Sequence, residues 1–168
     1  METFDAIHKT ATIIIAGCSL YVSFYIFRQN KNNQANDKQK DRNIQSLKVL
    51  VLDHSLKFLY TFFEDLNLEL QKLKAPDLDD EKKANIVDKV SDKFIEVRMK
   101  FVDMLLAVDD KLYNEILSKM DNFQSHISNS AFDGGINLFN STKYDELISV
   151  KYNVFKTEII KSLFAYKG

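Results

Sequence analysis

The chain reads as all-α, with one N-terminal transmembrane helix followed by a cytoplasmic bundle of three to four long helices. Residues 10–27 form an uncharged apolar run between Lys9 and Arg28. From Asn43 onward, apolar side chains recur at spacings of three and four, and no stretch alternates as a half-buried strand would. With four glycines and one proline in 168 residues, little interrupts long helices.

The first element expected is the span. At a rise of ~1.5 Å per residue the run covers about 27 Å, close to the roughly 30 Å hydrocarbon core of a bilayer. A cleaved signal peptide fits less well. Glu2 and Asp5 precede the run with only Lys9 beside them, the apolar stretch exceeds the usual ~7–15 residues, and no A-x-A site follows it. Arg28, Lys31, Lys38, Lys40 and Arg42 follow the run, so the basic-residue bias predicts a short N-terminus outside and the body in the cytoplasm. Tyr21, Phe24, Tyr25 and Phe27 suit an interfacial anchor. Thr12, Ala16, Ser19 and Ser23 fall on one narrow stripe of small side chains, which lets spans approach closely. That stripe predicts a homo-oligomer in membrane lipid and, in its stronger form, the lining of a pore.

Residues 1–27 are thus read as the terminal segment and span, 28–42 as a polar juxtamembrane stalk, and 43–168 as the bundle. The stalk has almost no apolar side chains and cannot bury a face of its own. A net charge of −1 and a pI near 6.3 give no electrostatic case for general nucleic-acid binding. The only cysteine, Cys18, lies inside the apolar run, which excludes disulfides and cysteine-based zinc sites from the body.

The bundle begins with a helix from Asn43 to Lys74. Leu52, Leu56, Leu59, Phe63, Leu66, Leu70 and Leu73 mark one face, which needs either the rest of the bundle or a partner. Pro76 ends it, and Asp77 or Asp79 caps the next helix, with Asp80 and Glu81 complementing its dipole. That second helix is expected from Asp79 to Ser128, with apolar positions that include Phe101, Met104 and Val108, and a bend or break near Val108. Gly134 and Gly135 mark the following turn. Phe132, Ile136, Leu138 and Phe139 make this connection apolar enough to pack on the bundle. Ser141 or Thr142 caps a last helix, which runs to Tyr166 and buries Ile148, Tyr152, Phe155, Ile159 and Leu163.

Catalysis finds no motif. Gly-x-Ser-x-Gly, the phosphate-binding loop, His-Glu-x-x-His and Cys-x-x-Cys are all absent, so no catalytic residue, metal, cofactor or small-molecule substrate is assigned. The acids around Asp79 lack the glycine and terminal glutamate of a calcium loop. His54 and His126 sit on different predicted helices, where a histidine satisfied at a helix surface is the ordinary case.

An N-terminal span, an Asn/Lys-rich stalk and a helical bundle together resemble the membrane accessory proteins of type VI-B RNA-guided (CRISPR) antiviral systems. The resemblance implies a HEPN-like cytoplasmic bundle. HEPN ribonucleases carry an arginine, then four to six residues, then a histidine, whereas Arg28, Arg42 and Arg98 are followed at that distance by other residues. Lys48 with His54, Lys119 with His126, and Lys151 and Lys156 on the last helix are the nearest echoes. What the resemblance implies is therefore not a nuclease. It implies an oligomeric effector of the bacterial inner membrane that forms a pore, lowers the membrane potential during phage infection and works beside an RNA-guided effector. The alternative is a membrane-tethered helical adaptor that recruits a cytoplasmic partner without conduction.

Overall fold

A computed structural model describes residues 21–31, 34, 37–76 and 78–167, which fall into two units, 1–41 and 42–168. In the first unit the described residues are helical and exposed. Thr12, Ala16 and Ser19 lie outside the described residues, as does most of the expected span; Ser23 is helical and exposed. The described part of the apolar run, residues 21–27, spans only about 10 Å before Arg28. No helix among the described residues is long and apolar enough to cross a membrane, which corrects the transmembrane part of the expected fold.

The second unit is all-helical. Its helices are α1 (Asp53–Gln71), α2 (Asp80–Lys100), α3 (Asp110–Phe132), the single turn α4 (Ser141–Tyr144) and α5 (Val150–Phe164). A π-helical stretch, Leu47–Leu52, leads into α1, and a second, Asp145–Ser149, leads into α5. Both lie where buried residues recur strictly at four: Leu47, Val51, Ser55 and Leu59 in the first, Tyr144, Ile148 and Tyr152 in the second. In an α-helix each four-residue step overshoots a full turn by about 40°. The wider π turn removes that drift and keeps the stripe on the core.

Neighbouring helices run antiparallel. On α1 and α2, Asp65 meets Lys93 while Phe58 lies beneath Lys100. On α2 and α3, Arg98 meets Tyr113 and Ser91 meets Gln124. Glu115 meets Ser162 and Phe123 meets Phe155 across α3 and α5. The last helix closes the ring, because the Tyr152 hydroxyl donates to the Phe63 carbonyl at 2.7 Å, both buried. The result is an up-down-up-down four-helix bundle.

Its centre is aromatic. Phe155 packs against Phe62, Phe63 and Phe94 at centroid distances of 6.4, 6.0 and 6.0 Å, and stacks on Phe123 at 4.5 Å with parallel planes. Pairs of this kind contribute ~0.5–1.5 kcal/mol beyond the area they bury.

Asp79 caps α2 by accepting from the Lys82 N–H at 2.8 Å, with Asp80 and Glu81 in the first turn and Arg98 and Lys100 in the last. The expected second helix is two helices, and the break expected near Val108 is where the second of them begins, at Asp110. α2 stops at Lys100, and a 3₁₀ segment, Val102–Ala107, carries the chain to Asp109, which caps α3 through the Lys111 and Leu112 N–H groups. Val102, Leu105 and Val108 are buried at spacings of three, the period of a 3₁₀ turn, so the core selects that geometry. Met104, expected on the buried stripe, is 39% exposed instead. The cap of the last helix is Asn140 rather than Ser141 or Thr142; its side chain accepts from the Thr142 and Lys143 N–H groups.

Candidate functional site

The six positions expected on a bundle or partner face serve the core. Leu59, Phe63, Leu66 and Leu70 are buried, and Leu52 and Leu56 pack half-buried against them. That face is consumed by the fold.

The HEPN-like positions separate into two groups. Lys48 and His54 are exposed near the start of α1, and the Lys156 ammonium stands 5.6 Å from the Phe63 ring. Lys119, His126 and Lys151 come together, lining a groove of about 270 Å³ between α3 and α5 with Asn122, Val154 and Glu158 over the stacked Phe123 and Phe155. His126 Nε2 lies 2.7 Å from the Leu147 carbonyl, which makes it the donor of a bond that pins the π-helical stretch. Lys119 is paired with Glu115 at 3.1 Å. The Ser162 hydroxyl donates to that carboxyl and, with Lys119, holds it below the ordinary carboxylate value. A carboxylate so held is a poor base near neutral pH. Among the described residues no group of three or more His, Cys, Asp or Glu could hold a metal ion.

A different cavity lies at the end of the bundle where two connections meet. Leu73, Ala75 and Leu78 line it from one side, and Ala131, Ile136, Leu138 and Phe139 from the other, with a volume of about 290 Å³. Lys83, which also lines it, is 3.8 Å from Asp80. Polar side chains stiffen the second connection. Asp133 accepts from the Gly135 N–H at 2.9 Å, Asn137 from the Phe139 N–H at 3.0 Å, and Asn140 begins α4. Leu138 is buried, as the sequence led one to expect, but Phe139 is 59% exposed and Phe132 47%. The loop therefore places an aromatic ring at the cavity mouth. Sequence reasoning missed this role, although the turn-forming residues Asp133, Asn137 and Asn140 mark the loop as locally built.

No family model, no curated protein and no solved structure matches this chain. No enzyme family is therefore identified for it, and nothing in these comparisons bears on the resemblance to antiviral accessory proteins.

Proposed function

We propose that the bundle is a non-catalytic adaptor that seats an apolar side chain of a protein partner in the loop-end cavity. The observation that carries this reading is Phe139, exposed on a stiffened loop at the mouth of a cavity lined by Leu73, Leu78, Ile136 and Leu138 together with the polar Lys83 and Asn137. An exposed aromatic ring beside a preformed hollow is a common centre of a protein interface. A loop fixed by its own hydrogen bonds loses little conformational freedom on binding. Conduction is not needed for such a role, and neither is a reacting group.

Peptide display against the purified chain tests it. Enriched peptides should share an apolar anchor, and Phe139→Ser should weaken their binding about tenfold or more, the range of an interface anchor. Phe164→Ser serves as control, since Phe164 is similarly exposed, at 63%, and lies elsewhere. No enrichment, or binding indifferent to Phe139, overturns the adaptor reading. Release of dye from vesicles by the purified protein would overturn it in favour of a pore.

A further inference from the structure

The groove between α1 and α2 combines an aromatic platform with an uneven charge balance. Phe62 and Val97 form its buried floor, and Lys57, Phe58, Thr61, Asp65, Lys93, Glu96 and Lys100 surround a cavity of about 260 Å³. Lys93 pairs with Asp65 at 2.7 Å, and Lys100 with Glu96 at 2.6 Å. Both carboxylates are thereby occupied. Lys57 makes no ion pair among the described residues; its ammonium rests 5.0 Å from the centroid of the Phe58 ring, which it shares with Lys100 at 5.7 Å.

From this arrangement we infer a binding site for a small amphipathic anion: a flat apolar body carrying one carboxylate or phosphate group. A cation over a solvent-accessible ring is weakly held. An incoming flat body takes the face of Phe58, and the displaced ammonium of Lys57 turns to the anionic group, exchanging a ring contact for a charge-assisted hydrogen bond. Asp65 and Glu96 keep Lys93 and Lys100 in place, so the rim stays ordered and its surplus charge sits on Lys57. An anion without an apolar body would forgo Phe58. An apolar body without charge would leave Lys57 without its ring and without a new partner. The site shares no residue with the loop-end cavity and does not depend on the adaptor reading.

Titration of the full-length chain, followed by amide NMR shifts and calorimetry, tests the inference with 2-naphthoate as probe, acetate as the ringless anion and 2-naphthalenemethanol as the uncharged ring. Saturable naphthoate binding should shift the amides of Lys57, Phe58, Asp65, Glu96 and Lys100, with acetate and the alcohol each about tenfold weaker or more. Lys57→Gln, at an exposed position, should weaken naphthoate about tenfold and leave the alcohol no weaker. Absence of saturable binding, shifts confined to other helices, equal binding of the alcohol, or an unaltered affinity in Lys57→Gln would each overturn it.

Discussion

The connection from α1 to α2 and the connection from α2 to α3 both reverse the chain, but different forces make them. The first is written in local chemistry: a 3₁₀ turn at Lys72–Lys74, Pro76, and Asp79 as cap, with Ala75 and Pro76 exposed. The second has neither glycine nor proline between Phe101 and Asp109, and Phe101, Val102, Leu105 and Val108 are all buried. Backbone preference ends one helix. Side-chain burial ends the other.

The difference is most easily broken at Phe101, which is fully buried. Phe101→Ala should destabilise the bundle by about 3–5 kcal/mol, the range for a buried aromatic, measured by chemical denaturation. A second irregular segment is held from outside as well. His126→Ala removes the side-chain donor to the Leu147 carbonyl in the π-helical stretch and should cost about 1–3 kcal/mol. His54→Ala, at an exposed position, should stay within ~0.5 kcal/mol and show that the effect is not generic to histidine.

Smaller effects sharpen the same contrast. Glu115, held low by Ser162 and Lys119, favours the folded state above its ordinary value of 4.5, and that contribution is lost as the pH falls through its lower folded value. Glu115→Gln should therefore flatten the acid limb of a stability-versus-pH curve between 4.5 and that lower value. Pro76→Ala should change stability by no more than ~0.5 kcal/mol, because the exposed turn retains Asp79 as cap.

These two connections also explain what was legible in the sequence. The start of α2 was readable because a proline, an aspartate cap and acidic first-turn residues act within a few positions of one another. The end of α2 was misplaced toward Val108. The signal present, Val102, Leu105 and Val108 at intervals of three, overlaps a helical reading through Phe101, Met104 and Val108, and only the packed core decides between them. The same limit applies to sites. His126 stood out as a candidate, but its role depends on a carbonyl 21 residues away, which local pattern does not reveal. Phe139 looked like a residue to be buried, since apolarity alone does not show that Asp133 and Asn137 hold its loop outward.

The bond from the Tyr152 hydroxyl to the Phe63 carbonyl joins residues 89 positions apart, and Phe155 supplies the ring that touches Phe62, Phe63, Phe94 and Phe123. During translation, then, the first three helices emerge with a greasy seam open until the final one leaves the ribosome. A premature stop codon before Tyr152 would deliver a protein with that seam permanently unsealed, a substrate for chaperones and proteases even though three of its four long helices had been made.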